Sequence, residues 1–296
     1  MASLKRTKKL NSWNYADVII FIVLTLFGLI ILYPFYNTLL ISLVTEGEYI
    51  RSPFMLWPKE PTLKAYWYVF KSPLIVSGFR TSLIVTVVGT VYSMFFTVSI
   101  AYALMKNFPG RGGFKAMLLF TMYFAGGLIP TYLLMKDLKL LDTLWVLILP
   151  TGATVNYIIL LQRFFEEVPL ELEESAKLDG CSEIGVLFKI ILPLSLPSLA
   201  TFGLYYAVGR WNSWYDGMLY IKNVEKQPIQ TVLRTIIQNA AAVQGEAVGT
   251  DTDMDKVYAE GVKMASVFVT ILPIMCVYPF LQRYFVSGLT AGAVKS

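Results

Sequence analysis

A chain of 296 residues with a formal charge of +5, 56% hydrophobic and only 15% charged residues, lacks the balance of a soluble core and shell. Its mean hydropathy of +0.58 is that of a membrane protein, and its basic residues are scattered among loops and the N-terminal Lys5, Arg6, Lys8 and Lys9, which argues against nucleic acid as a partner. The absence of histidine and the wide separation of Cys181 from Cys276 argue against a metal centre and a structural disulfide.

A spanning helix needs roughly 20 mainly apolar residues to cross about 30 Å of hydrocarbon. About six such windows predict an all-α, polytopic membrane protein, a single domain over 1–296 with its core at about 80–286. The first window, about Tyr15–Leu40, is too long for a signal-peptide core and no small-residue cleavage site follows it, so it is expected to stay as a membrane helix. Residues 43–79 are polar, rich in Trp and Tyr and punctuated by proline, and read as an outer segment with a short interfacial helix. The second span is predicted at about Thr81–Met105, the third at about Phe114–Leu134 after the turn Lys106–Gly113, and the fourth at about Leu144–Phe165.

Residues 170–187 are too charged to cross a membrane yet helical in period, with Pro169 at the start, and are placed as a cytoplasmic surface helix. The fifth span, about Ile190–Met218, is expected to break early at Pro193 and Pro197, and the sixth covers about Met264–Phe285. Between them the segment at about 220–262 reads as outer; its Gly249–Lys256 lacks the full calcium-loop pattern and is read as a solvated loop. Weighting charges close to span ends, the N-terminal lysines and arginine with Lys106, Arg111 and Lys115 place the N-terminus in the cytoplasm, and six spans return the C-terminus there.

One spacing carries function: Glu174-Ser175-Ala176, three residues, Gly180, nine residues, then Ile190-Ile191-Leu192-Pro193. Ala176 and Gly180, four apart, would offer a small-residue face on a short helix, with Glu174 and Asp179 as its charged rim. Gly180 suits a left-handed helix end that turns the chain back toward the membrane. The pattern resembles the EAA signature of binding-protein-dependent ABC importer permeases, with Ser175 in place of an alanine.

The order of spans, Gly209–Ile221 and the C-terminal Leu281–Ser296 are similar to the carbohydrate branch of that family, the type of the smaller maltose-permease subunit. The long segment from Lys222 to Lys263 departs from it and resembles a subgroup for complex oligosaccharides, which argues against maltose itself. The resemblance implies the type I ABC importer permease fold in a bacterial inner membrane and a homologous permease subunit as partner. It also implies two ATPase subunits that hold ATP and magnesium, and an extracytoplasmic binding protein that delivers an oligosaccharide. Glu174, Ser175, Ala176, Asp179 and Gly180 would then couple to the ATPases, and alternating access would move the substrate. The basic balance and long outer segment admit acidic sugars such as alginate fragments.

Aromatic and hydrogen-bonding residues crowd the fifth span at Tyr205, Tyr206, Arg210, Trp211, Asn212 and Trp214, the best candidates for lining a sugar pathway. Two readings of Arg210 stay open: a cation-aromatic stack with Tyr206 and Trp214, each four residues away, or an interfacial side chain snorkelling or pairing with Asp216. Asn156 and Tyr157 form a second candidate pair, for which helix packing is the competing explanation.

An enzyme is disfavoured: the chain has no histidine, no G-x-S-x-G, no H-E-x-x-H and no P-loop, and no cofactor of its own is expected. A secondary transporter would call for internal repeats and several ionisable residues deep in spans. A channel or scaffold would not call for the EAA spacing. Permeases for amino acids or metals share it, so the substrate class rests on the wider resemblance, and co-purification with a sugar-binding protein would discriminate.

Overall fold

The computed structural model describes residues 15–51, 55–243 and 259–293, and among these every regular element is helical. The N-terminal lysines, Gly249–Lys256 and the last three residues lie outside the described residues.

The described chain falls into two compact units, of which the first comprises residues up to Tyr66 with Asp251–Phe268. Its α1, Tyr15–Ser42, is apolar on all sides, as a lipid-facing span requires, and carries Pro34 without interruption. Only its C-terminal end is covered: Leu40, Ile41 and Ser42 are buried, and Ser42 Oγ lies 2.7 Å from the Tyr66 hydroxyl. A short helix α2, Glu46–Arg51, follows, and the Thr62 amide donates to the Leu43 carbonyl at 2.7 Å, folding the outer segment back on α1. The helix α3, Lys64–Lys71, begins here and crosses into the second unit.

The second unit, Trp67–Thr250 with residues from Val269 on, is organised on α4, Pro73–Met105. This helix starts eight residues before the predicted Thr81, because Ser72 is extended and Pro73 is ready-made for a first helical turn. At 33 residues it is about 50 Å long. Gly89, Ser93, Thr97 and Ala101 recur every fourth residue on its buried side, a small-residue stripe that lets neighbouring backbones come close.

The third predicted span is two helices, α5 at Arg111–Tyr123 and α6 at Leu128–Asp137, bent by 111°. The break sits on Gly126 and Gly127, and Gly127 takes a φ of 88°, a backbone that side-chain-bearing residues resist. The fourth departs further. Residues 144–147 form a 3-10 turn, 148–154 are irregular, and only α7, Val155–Glu166, is helical. Its 12 residues reach about 18 Å, short of a hydrocarbon core.

After α7 come α8, Leu170–Leu178, and α9, Glu183–Val186. A wide π-turn at Leu187–Ile191 precedes α10, Leu192–Leu194, because Pro193 has no N–H to return to the carbonyl of Lys189. The chain then bends by 84° into α11, Leu196–Trp211, so the predicted early break at Pro193 and Pro197 is present. A second, unpredicted break at Asn212–Ser213 separates α12, Trp214–Tyr220. The remaining helices are α13, Ile229–Val243, and α14, Ala259–Ala293, which runs beyond both ends of the predicted sixth span.

Three helices, α1, α4 and the first part of α14, are long and apolar enough to cross a membrane, and the bent pairs α5–α6 and α9–α11 raise the number to five among the described residues. Of the about six spans expected from the sequence, the third is a bent pair, the fifth is bent at its expected proline break, and the first half of the fourth is irregular backbone. Two apolar clusters hold this unit. One gathers Leu104, Leu161, Phe165, Val186, Ile191 and Phe202 near α8. The other gathers Val85, Met135, Val146, Ile148, Tyr220 and Ile221 at the opposite end of α4.

Candidate functional site

The helix α8 is built to be short and exposed. Pro169 sets its entry, Glu171 and Glu173 fall in the first turn and Lys177 in the last, each complementing the helix dipole. Its end is a Schellman turn: the Cys181 amide donates to the Ala176 carbonyl at 2.9 Å and the Gly180 amide to that of Lys177 at 3.0 Å. Gly180 has a φ of 81°, the left-handed conformation expected from the sequence, with open space around it.

Glu174, Ser175, Asp179 and Gly180 are exposed, and Leu178 beside them is 90% exposed. Ala176 differs from expectation. It packs inward against the cluster of Leu161, Phe165 and Phe202 and shares no outer face with Gly180, which has already left the helix, so the four-residue register no longer applies.

Under α8 lies a group that no motif announced. Glu173 is buried and is paired with Lys106 from the end of α4; Lys106 Nζ also stands 3.2 Å from Glu183 on α9. Lys177 Nζ meets Glu173 at 3.1 Å and Glu183 at 2.6 Å. These contacts close a ring of two lysines and two glutamates. The Tyr102 hydroxyl sits 3.0 Å from both the carboxylate and the carbonyl of Glu183. Burial lowers the Lys106 ammonium from its ordinary pKa, against the pull of Glu183. The sequence signals were modest: a lysine closing a long apolar helix, and Glu173 four residues before Lys177.

The second group of candidates separates into two kinds. Arg210, only 7% exposed, donates to the carbonyls of Leu147 at 2.8 Å, Thr151 at 3.1 Å and Ile148 at 3.3 Å, and to Ser93 Oγ at 2.7 Å. Tyr206 is buried, its hydroxyl 2.8 Å from Thr97 Oγ1 and accepting from the Thr154 amide at 2.9 Å. Trp211 donates from Nε1 to the Thr270 carbonyl at 3.1 Å and meets Phe79 edge-on. These three hold the interior together. Backbone that is not helical at membrane depth must find partners within the protein. Arg210 and Tyr206 supply them to residues 147–154, opposite Ser93, near the middle of α4.

Neither sequence reading of Arg210 survives. The break at Asn212–Ser213 turns Trp214 away, and Arg234 takes its ring at 3.8 Å; Asp216 accepts from Ser213 Oγ at 2.8 Å, and Arg210 does not reach the surface. Tyr205 is 47% exposed, and its ring lies tilted against Tyr157 at 5.7 Å between ring centres. Asn156 beside Tyr157 is exposed, and Asn212 is exposed, accepting from Gln230 at 3.3 Å. The pathway candidates that present themselves are thus Tyr205, Asn156 and Asn212, with Tyr157 and Trp214 half-buried.

At the other end of the unit Asp142, with a φ of 59°, accepts from the amides of Asn223 at 2.9 Å and Lys222 at 3.2 Å, while Lys226 donates to its carbonyl at 2.9 Å. The Asn223 amide first, and Lys226 with it, hold the Asp142 carboxyl below the ordinary carboxylate pKa.

A helical membrane unit with an exposed, capped surface helix tied to its spanning helices is the frame of a transport subunit. Residues 75–291 match the family described as binding-protein-dependent transport system inner membrane component, and the chain belongs to it. It is a permease, a transport component of the inner membrane and not an enzyme. The chain is 44% identical over 271 residues to the protein LplC of Bacillus subtilis (strain 168), covering 90% of each. It is 40% identical to the polygalacturonan/rhamnogalacturonan transport system permease protein YtcP of the same organism, over 94% of this chain and 98% of the relative. A crystal structure of a bacterial ABC transporter involved in the import of the acidic polysaccharide alginate superposes with a TM-score of 0.81 at 31% identity, over 93% of this chain and 99% of that one.

Proposed function

We propose that this permease is one of two homologous membrane subunits of an ATP-driven importer of acidic oligosaccharides. The observation that carries the transport mechanism is α8: a short exposed helix closed by Gly180 in a left-handed turn, presenting Glu174, Ser175 and Asp179 outward. Such an element seats in a cleft of an ATPase subunit. The two ATPases, which hold ATP and magnesium, move it as they close, and the pathway alternates between inward- and outward-facing states. Ala176 contributes by packing α8 onto the permease core. Both chain ends lie in the cytoplasm, and an extracytoplasmic binding protein delivers the sugar.

The acidic substrate class is supported by two of the relatives, one named for polygalacturonan and rhamnogalacturonan and one solved as an alginate importer. Tyr205 supplies an exposed aromatic face of the kind that packs on sugar rings, with half-buried Tyr157 beside it, and Asn156 and Asn212 supply hydrogen-bonding groups. The test is binding to the intact complex with its binding protein: fluorescent oligouronates should be retained, and unlabelled neutral oligosaccharides of equal length should not displace them. Displacement by neutral sugars at equal concentration would remove the acidic class.

A further inference from the structure

The ring of charges beneath α8 joins three elements that sequence separates widely. Lys106 follows the last residue of α4; Glu173 and Lys177 sit on α8, the first buried and the second exposed; Glu183 opens α9, which leads through the π-turn into α10 and the break before α11. Every lysine in the ring touches both glutamates. Glu173 is 5% exposed, so it cannot trade its lysines for water. Tyr102, one turn before Lys106 on α4, adds its hydroxyl to Glu183, and Lys106 Nζ lies 4.7 Å from the centre of the Tyr102 ring.

The apolar contacts between α8 and the core are few by comparison. Ala176 is the α8 residue that reaches the cluster of Leu161 and Phe165, while Leu170, Leu172 and Leu178 are exposed. Close packing transmits strain, but with Ala176 as its contact to the cluster α8 offers little of it. A helix tied by a closed ring of ion pairs keeps its partners, because parting them would leave Glu173 buried with its charge uncompensated.

From this geometry we infer that Lys106, Glu173, Lys177 and Glu183 form the mechanical link that carries movement of α8 into α4 and α9, Lys106 acting as the positioning residue that couples ATPase closure to the transport pathway. The inference rests on the reading of α8 as the ATPase-docking element. Gly180, Glu174 and Asp179 face the partner, and the ring, buried at Glu173, is a second set of contacts that transmits what the docking face receives.

The two surfaces separate experimentally in the full complex of both permeases, the ATPases and the binding protein, reconstituted in proteoliposomes. Lys106→Met removes the ring member from α4 and leaves the outer face of α8 intact. It should retain the ATPases at wild-type stoichiometry and continue to hydrolyse ATP, while sugar transported per ATP falls about tenfold, within the ordinary range of coupling between sites. Lys106→Arg keeps the charge and should keep most of the coupling.

Wild-type transport per ATP in Lys106→Met would overturn the inference. So would equal loss in Lys106→Arg and Lys106→Met, which would point to shape rather than charge. Loss of the ATPases from Lys106→Met would also contradict it, since the ring would then be maintaining the docking face and not transmitting from it. Failure of the docking reading shows separately, as ATPases retained at full stoichiometry by Gly180→Arg.

Discussion

Nη1 of Arg210 donates to the carbonyl oxygen of Leu147 at 2.8 Å, tying the last turn of α11 to the segment where the fourth predicted span gives up helical structure. The same guanidinium reaches Ile148, Thr151 and Ser93, so one side chain replaces several of the intrahelical hydrogen bonds that this segment lacks. Without it those carbonyls would face an apolar interior. Removal of one partner from a buried hydrogen bond costs about 1–3 kcal/mol. Arg210→Met is expected to lose at least that much, read as a lower midpoint of thermal unfolding of the complex in detergent. An unchanged midpoint would show that the segment finds other donors.

Gly89 belongs to the same device. A Cβ there would lie 2.5 Å from Arg210 Nε and 2.6 Å from Cζ, so the guanidinium would have to leave its carbonyls. Gly89→Ala should destabilise the complex nearly as much as Arg210→Met. In an Arg210→Ala background, where the atoms that the Cβ would strike are gone, Gly89→Ala should cost little, giving a coupling of about 1–3 kcal/mol. Additive losses in a double-mutant cycle of thermal midpoints would separate the two residues.

The outer clamp predicts a pH dependence. The carboxyl of Asp142 has a lower pKa folded than its ordinary 3.8, because the Asn223 amide and Lys226 favour its charged form. A depressed carboxylate contributes stability that is complete above its unfolded pKa and is lost as pH falls through the folded one. The loop at 220–226 should therefore become open to protease only below that ordinary value, and Asp142→Asn should remove the step while keeping an acceptor for Asn223. A wild-type step centred near neutrality would contradict this assignment.

How far the sequence disclosed this molecule depended on whether a feature was local. The apolar run of α1, a surface helix from residue 170 and the left-handed Gly180 follow from neighbouring residues alone and were legible, while the stretch expected as one helix over 170–187 is α8 and α9 parted by the turn at Gly180. Residues 144–154 were not. Leu-Trp-Val-Leu-Ile-Leu is as apolar as a spanning helix, and periodicity cannot tell buried irregular backbone from buried helix. The warning was Pro150 followed by Gly152, where a Cβ would strike the Tyr92 ring at 2.6 Å.

Among the pathway candidates, residue type grouped Arg210 with Tyr205, but tertiary contacts give them opposite roles, since one is consumed by carbonyls and the other stays exposed. The charge ring was equally hidden, because its members come from positions 106, 173, 177 and 183 and only the fold brings them together.

Gly180 separates local strain from docking. Most side chains pay about 1–2 kcal/mol for the left-handed conformation, whereas asparagine tolerates it. Gly180→Asn should therefore fold and retain ATPase binding better than Gly180→Ala, despite its greater bulk, as judged by the ATPase recovered with the purified complex. If binding instead fell steadily with side-chain volume, fit in the partner's cleft would outweigh backbone strain.

The most direct test of the whole account is ATP-dependent uptake in proteoliposomes containing this permease with its partner permease, ATPases and binding protein. Wild type and Gly180→Arg would be compared on oligouronates and on neutral oligosaccharides. The account predicts uptake of oligouronates that requires ATP and is lost in Gly180→Arg while the two permeases remain assembled. Uptake that persists without ATP, or that survives Gly180→Arg, would contradict coupling through α8.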